Sequence, residues 1–270
     1  MRFNPLRHPN LILPIIIAFA LAACAPTQTQ PALAFPTETP QPSPTATIQW
    51  FPPTNTPTPR PVTLASPTPV YLIGVGEILL TDDFSSPAAW DTAAADEGSV
   101  SISRNRITIA VKAPETYLFS LRNAPQLTDF YAEINAHPTL CKGGDSYGML
   151  FRAEGGAAYR YALACDGTVR LERLKAYNRP RVIQEALPSG DAPLGSPGDV
   201  RLGVWAVGDE MRFFLNGRYQ FSVVDRNLHS GRLGLFAESA AETALTVTFS
   251  DLVVRAVDYI PPPPTQTPDS

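Results

Sequence analysis

The residues of this chain whose types and spacing suit ligand binding are arginines, glutamates and aromatic residues in runs of alternating polar and apolar side chains. Successive side chains of a strand point to opposite faces. In the run 147–152 the odd positions therefore share one face, expected to be the core, and Arg152 lies on the other. Trp205 likewise lies opposite Leu202 and Val204. The candidate ligand-binding residues are Arg152, Tyr159, Arg160, Arg170, Glu172, Trp205 and Arg212.

This mixture of side chains is typical of sugar-binding sites, where aromatic platforms are combined with a few polar groups that fix the ligand's orientation. A structural alternative stays open. In that interpretation Trp205 fills the core or its rim, and the charged residues form cross-strand pairs on a solvated sheet face. An error of one residue in the strand register would exchange the two faces.

Three aspartates form a candidate calcium site. Asp82 and Asp83 lie in the first predicted strand, and Asp251 lies in the last. If these strands meet at a sheet edge, their carboxylates come together, and Ca²⁺ prefers carboxylate and carbonyl oxygens. The alternative is that these aspartates cap turns.

The sequence carries no recognisable catalytic motif. It contains neither H-E-x-x-H nor G-x-S-x-G, the motifs of zinc peptidases and serine hydrolases. His137 and His229 lie near predicted turns or strand ends, where histidines are commonly solvated. A pair of carboxylates assembled from distant strands stays open as an alternative, so we expect binding rather than catalysis.

The N-terminus has the three parts of an export signal. Arg2 and Arg7 form a positive region, and Leu11–Ala23 is an apolar run too short to span a bilayer comfortably. The ending Leu21-Ala22-Ala23-Cys24 resembles the bacterial lipobox. That resemblance implies a signal peptide over 1–23, a lipid on Cys24 and attachment of the exported protein to a membrane. The alternative is an ordinary secretory signal with a chance cysteine.

Two proline-rich segments flank the central part of the chain. Residues 25–70 include 13 prolines and 11 threonines, and proline both fixes φ and removes an amide donor. We expect residues 24–76 to form the lipidated cysteine and a disordered stalk, and 259–270 a disordered tail. Residues 77–258 remain as one domain of a size that can bury a core.

That domain reads as fourteen short strands separated by Gly, Pro, Asn and Asp, with no sustained helical period. Asn216-Gly217 predicts a type I′ hairpin turn, and Asp166-Gly167 marks a second hairpin. Cys141 and Cys165 are the other two cysteines, and they come opposite each other if strands 147–153 and 159–165 pair. We therefore expect a disulfide between them in an oxidising compartment. The fold class is all-β, a two-sheet antiparallel sandwich.

Several motifs resemble the concanavalin A-like lectin/glucanase superfamily, in its laminin-G-like or DUF1080-like branches. They are Asp82-Asp83-Phe84, Tyr147-Gly148-Met-Leu-Phe-Arg152, Phe214-Leu-Asn216-Gly217 and Gly231-Arg-Leu-Gly234-Leu-Phe. The resemblance implies a jelly roll, a fold that hosts lectins, glycosidases and purely structural domains. Glycosidases of this superfamily carry E-x-D-x-x-E on one strand, and this sequence has no such triplet.

The formal net charge is −4, without a basic stripe, which argues against nucleic acid as a partner. We expect a lipid-anchored, non-catalytic module on the cell surface that binds carbohydrate or another surface polymer. The alternatives are a structural or protein-interaction module without a small ligand and a glycoside hydrolase-like enzyme.

Overall fold

The computed structural model describes residues 71–176, 179–193, 195–240 and 244–260. All of these belong to the second of the two units into which the chain divides, residues 65–270. The predicted signal peptide, Cys24, most of the stalk and most of the tail lie outside the described residues.

Strands dominate the described part of the chain, and one short 3₁₀ turn, Pro87–Ala89, is present beside them. The strands are β1 (Val75–Asp82), β2 (Ala93–Ala95), β3 (Gly98–Ser103), β4 (Arg106–Val111), β5 (Tyr117–Leu121), β6 (Phe130–Leu140), β7 (Ser146–Glu154), β8 (Ala157–Ala164), β9 (Thr168–Lys175), β10 (Arg179–Pro188), β11 (Val200–Val207), β12 (Glu210–Leu215), β13 (Arg218–Val224), β14 (Arg232–Glu238) and β15 (Leu245–Val257).

These strands form two antiparallel sheets. The larger has nine strands in the order β13-β12-β11-β6-β15-β4-β3-β2, with β1 also paired to β15. The smaller has six strands in the order β10-β9-β8-β7-β14-β5. The predicted all-β, two-sheet antiparallel sandwich is therefore confirmed, and β2, a three-alanine strand, is the one that the sequence pattern did not reveal.

The core lies between the sheets and follows the alternation of each strand. Met149, Phe151 and Tyr161 from the six-stranded sheet pack with Phe213 and Phe249 from the nine-stranded sheet. The predicted inward faces of β7 and β11 are confirmed by this packing. Burial of such side chains contributes about 1.5–3 kcal/mol each before entropy costs are counted.

The two predicted hairpin turns have different geometries. Asn216 and Gly217 both have positive φ, 51° and 77°, as a type I′ turn requires. At the second turn only Gly167 has positive φ, and its amide donates to the carbonyl oxygen of Ala164 at 2.9 Å. Both turns connect strands that are neighbours in a sheet, β12 with β13 and β8 with β9.

The predicted disulfide between Cys141 and Cys165 is present, with a Cα–Cα distance of 5.5 Å. It forms because Ser146, at the start of β7, pairs with Ala164 at the end of β8. For a loop of 24 residues such a crosslink contributes about 3 kcal/mol in the entropy model. Among the described residues, no helix is long and apolar enough to cross a membrane.

Candidate functional site

The outer face of the six-stranded sheet carries a cluster of charged residues in register across neighbouring strands. Arg160 on β8 lies directly opposite Glu172 on β9 and Leu150 on β7. One step along, Arg170 on β9 lies opposite Ala162 on β8. Three of the sequence-predicted candidates, Arg160, Arg170 and Glu172, are thus brought together on one face.

A fourth charged residue joins this cluster from the far side of β7. Glu238 ends β14 and lies opposite both Ser146 on β7 and Tyr117 on β5. Because β7 separates β8 from β14, the Arg160 side chain must cross β7 to reach Glu238. We name Arg160, Arg170, Glu172, Glu238 and Ser146 the charged network.

Arg160 is the centre of the charged network. Its Nε and Nη2 each lie 2.6 Å from Oε2 of Glu172, and its Nη1 lies 3.0 Å from Oε2 of Glu238. One guanidinium therefore holds two carboxylates on opposite sides of β7. Hydrogen bonds between charged partners of this kind are stronger than neutral ones.

Arg170 closes the network along its outer side. Its Nε donates to Oε1 of Glu172 at 3.2 Å and its Nη2 donates to Oγ of Ser146 at 3.1 Å. The same Nη2 lies 3.7 Å from Oε2 of Glu238. Ser146 Oγ in turn donates to that carboxylate at 3.4 Å. Both glutamates consequently have two arginine partners.

Burial distinguishes this network from ordinary surface ion pairs. Arg160 is 3% exposed and Glu172 5% exposed, although both point away from the core. Removing such charges from water costs free energy that their mutual attraction offsets only when every hydrogen-bonding group is well placed. Arg170 and Glu238 keep 20% and 30% of their side chains exposed, so the network meets solvent through these two residues.

Aromatic rings border the network on the β14 and β5 side. The guanidinium carbon of Arg160 lies 5.3 Å from the ring centre of Phe236 and 5.2 Å from that of Tyr117, distances typical of cation–π contacts. Phe119 continues this aromatic border, with its ring centre 5.5 Å from that of Tyr117. Tyr117 and Phe119 are half-buried and present ring surface beside the charges.

Gly148 sets how closely β7 approaches the strands that carry Arg160 and Phe236. Gly148 lies between Phe236 on β14 and Ala162 on β8. A Cβ at this position would collide with the carbonyl oxygen of Tyr161 and lie 3.2 Å from the Phe236 ring. The lack of a side chain therefore sets the close approach of β7 and β8 under the arginine.

Two of the sequence-predicted candidates lie at the sandwich edge instead of the sheet face. Arg152 has φ of 49° at an irregularity in the β7–β8 pairing, which turns its side chain away from Arg160. It is fully buried, and its Nη1 and Nη2 donate to the carbonyl oxygens of Leu228 and Thr128. Burial lowers the pKa of this guanidinium from its usual value. The placement of Arg152 on the open sheet face was wrong.

Tyr159 belongs to the same edge. Its ring is buried in the core, and its hydroxyl donates to Oδ1 of Asp225 at 2.5 Å. Burial is the main cause that raises the pKa of Tyr159 to about 12. Arg173 also binds Asp225, with Nη1 at 2.9 and 3.0 Å from the two carboxylate oxygens. Tyr159 therefore holds the loop after β13 in place through Asp225, and its buried ring is not accessible to a ligand.

Trp205 and Arg212 lie on the outer face of the nine-stranded sheet, where chain segments near both ends of the domain cover them. Trp205 is fully buried and donates its indole N–H to the carbonyl oxygen of Ile73 at 2.9 Å. The Arg212 guanidinium lies 4.4 Å from the Trp205 ring centre and 5.4 Å from that of Tyr259, and donates to the carbonyl oxygen of Tyr71. The expectation of an accessible tryptophan platform was wrong because these segments occupy it.

The three aspartates proposed for calcium do not fit that ion. Oδ2 of Asp82 accepts from Trp90 Nε1 at 3.0 Å and from Arg122 Nε at 2.7 Å, so a cationic partner already occupies it. Asp83 accepts from Ser85 and Asn105, and its pKa is lowered chiefly by the hydrogen bond of Ser85. Within the four described ranges of the chain, no group of three or more His, Cys, Asp or Glu side chains could hold a metal ion. Asp251 accepts from Asn135 and Ser250.

A hollow of about 380 Å³ lies on the opposite face of the sandwich, away from the charged network. Its lining includes Asp199 and Arg201, whose side chains are 89% and 50% exposed. Asp199 pairs with His137 and Arg201 pairs with Glu133, and exposed pairs of this kind contribute little to stability and are not held in one geometry. The charged network, in contrast, is buried and fixed by several partners, so we take it as the candidate site.

Sequence reasoning missed Glu238, Ser146 and Tyr117. Each lies on a strand whose neighbour in the sheet is distant in sequence, since β14 pairs with both β7 and β5. A local signal existed for Arg160, Arg170 and Glu172, which lie on the two strands of one hairpin.

No family model matches this chain, and no curated protein matches it. Similar solved structures include the carbohydrate binding module CBM66 from Bacillus subtilis, at 17% identity and TM-score 0.50, covering 62% of this chain and 96% of that one. A protein of unknown function with a galectin-like fold from Bacillus subtilis is similar at 14% identity and TM-score 0.51, covering 68% and 99%. At these identities the likeness shows the fold alone, a jelly-roll sandwich.

Replacing Gly148 with alanine tests whether the close approach of β7 to β8 and Phe236 requires a glycine at this position. We expect Gly148→Ala to lower the free energy of unfolding by about 1–3 kcal/mol, because Phe236 and β8 must shift to admit a methyl group. Urea denaturation measures this difference. Gly144→Ala is the matched control, since its added Cβ would lie at an ordinary 3.5 Å from Ala240. Equal stability of the two variants would contradict the argument.

Proposed function

We propose that this protein is an exported, lipid-anchored and non-catalytic module that binds carbohydrate through the charged network on its six-stranded sheet. One observation carries the proposal: two arginines and two glutamates are paired and largely buried on a face that points away from the core. Replacing a buried ion pair with apolar residues of similar volume is often neutral or stabilising for the protein, so stability alone does not require these charges. A ligand that uses the network explains its presence.

The chemistry of the network matches sugar hydroxyls, which both donate and accept hydrogen bonds. Arg170 supplies donors and Glu238 supplies acceptors at the exposed edge of the network. Tyr117 and Phe119 add half-buried ring surface beside them. One of the solved structures that share this fold, CBM66, is a carbohydrate binding module, which supports the same class of ligand.

The arrangement favours binding over hydrolysis. Glycoside hydrolases require one carboxyl that gives a proton and a second that acts as base or nucleophile. Glu172 and Glu238 both act as acceptors for the Arg160 guanidinium, and each has Arg170 as a further partner. Neither glutamate is arranged as a proton donor.

The two described ends of the domain lie away from this face. Tyr71 and Ile73 contact Arg212 and Trp205, and Asp258 donates its amide to the carbonyl oxygen of Gly74. Both ends therefore lie on the outer face of the nine-stranded sheet. The six-stranded sheet with its charged network is therefore on the side of the domain opposite to both described ends.

A glycan array screened with the purified protein tests the binding proposal. We expect saturable binding that Arg170→Ala weakens at least about tenfold, because a charged hydrogen bond contributes roughly 1.5–3 kcal/mol. The matched control is Arg201→Ala, an exposed arginine on the opposite sheet, which should bind as the unaltered protein does. Binding should be the same with calcium and with EDTA.

Two results of that screen would contradict the proposed binding site. Folded protein that binds no glycan would favour a structural or protein-interaction module. Equal losses in Arg170→Ala and Arg201→Ala would move the site away from the charged network. Release of reducing ends from a bound glycan would indicate hydrolysis and refute the non-catalytic part.

Lipid attachment at Cys24 is tested separately in a bacterial host that processes lipoproteins. The unaltered protein should partition with membranes and incorporate labelled palmitate, since several buried CH₂ groups at about 0.8 kcal/mol each anchor it. Cys24→Ser should lose the label and be found outside the membrane fraction. Retention of Cys24→Ser in the membrane would refute the lipid anchor.

A further inference from the structure

Two polar groups of the charged network, and a third group beside it on β5, are unused. Oε2 of Glu238 binds Arg160 and Ser146, while no contact within the described part of the chain engages its Oε1. Arg170 uses Nε and Nη2, and its Nη1 has no partner among the same residues. The Tyr117 hydroxyl is buried and finds no hydrogen-bond partner among them either.

These three groups lie around one spot on the sheet. Glu238 lies directly opposite Tyr117 on β5 and opposite Ser146 on β7, and Ser146 lies opposite Ala164 on β8. Arg170 reaches the same spot from β9, because its Nη2 contacts Ser146 Oγ. Ala164 has only a methyl side chain and Ser146 only a hydroxymethyl group. These two small residues form the base of the spot, and the longer side chains of Glu238, Arg170 and Tyr117 surround it.

The Tyr117 hydroxyl indicates that a polar partner belongs at this spot. A buried hydroxyl without a partner costs free energy, which a ligand group can recover when it supplies the missing hydrogen bond. Burial is the main cause that raises the pKa of Tyr117, so the phenol keeps its proton and can donate it. Its neighbours in the network, Arg160 and Glu238, are the charged groups that act on it most strongly.

The charges of the network cancel, since two arginines face two glutamates. A carboxylate or sulfate on the ligand would meet the unused oxygen of Glu238 and be repelled. A hydroxyl at the same position would donate to that oxygen and gain a charged hydrogen bond. An adjacent oxygen of the ligand would accept from Arg170 and Tyr117.

We infer that this site binds an uncharged sugar unit. Glu238 and Tyr117 determine its specificity by forming hydrogen bonds with two neighbouring hydroxyls of that sugar. The inference rests on the proposed glycan-binding function and adds to it the ligand class and the residues that select it. Arg160 and Glu172 act as positioning residues, because they hold Glu238 and Arg170 in place.

The test uses the purified protein on an array that carries neutral, uronic-acid, sialylated and sulfated glycans. Polygalacturonate and polymannuronate are included before and after chemical reduction of their carboxylates to hydroxyls. We expect the bound glycans to be neutral, and where a reduced polymer binds, its acidic parent should bind at least about tenfold more weakly, the factor expected for loss of one hydrogen bond to a charged group.

Variants locate the specificity within the site. Glu238→Gln should weaken neutral binding at least about tenfold and narrow the difference between neutral and acidic glycans, because the repelling charge is gone. Tyr117→Phe should weaken neutral binding about three- to tenfold. Glu185→Gln, an exposed glutamate on β10 of the same sheet, is the control and should bind as the unaltered protein does. Urea denaturation midpoints confirm that each variant is folded.

The outcomes separate this inference from the function on which it rests. Preferential binding of acidic glycans, or neutral binding that Glu238→Gln leaves unchanged in a folded variant, would overturn the inference while glycan binding stands. Binding of no glycan at all by the folded protein would overturn the proposed function and the inference with it.

Discussion

The site depends on the two ion pairs that Arg160 forms, with Glu172 on one side of β7 and with Glu238 on the other. Gly148 lies between Phe236 and Ala162, and its lack of a side chain allows β7 to approach β8 and Phe236 closely beside this guanidinium. Since Arg160 is almost fully buried, losing either carboxylate leaves a charge without full compensation. The geometry of the network is therefore set by the sheet and is ready before any ligand arrives, which limits the ordering cost of binding.

The two outer faces of the sandwich have separate roles. On the nine-stranded sheet, Trp205 and Arg212 are covered by residues near both ends of the domain, and the rings of Tyr71 and Tyr219 stack at 3.7 Å beside them. On the six-stranded sheet the corresponding outward positions hold the charged network instead. Aromatic residues and an arginine thus occur together on both outer faces. On the nine-stranded sheet they bind the described ends of the domain, and on the six-stranded sheet they form part of the candidate site and its border.

Local sequence patterns predicted much of the fold but only part of the site. Asn216-Gly217 and the alternation in β7 and β11 depend on neighbouring residues, so the turn and the inward faces could be read directly. Arg152 could not be placed, because a single residue with positive φ breaks the alternation. Glu238 and Tyr117 join the site through strand pairings between distant parts of the chain, which a single sequence does not encode locally.

The most direct test of the central claim is the NMR spectrum of arginine Nε–H groups in the purified protein, assigned with Arg160→Lys. Arg160 donates its Nε–H to Glu172 at 2.6 Å and is nearly buried, so we predict slow exchange of this proton with solvent. A bound neutral glycan should shift the Arg170 signal and leave Arg160 protected. Exchange of the Arg160 proton as fast as that of the exposed Arg201 would contradict a preformed network.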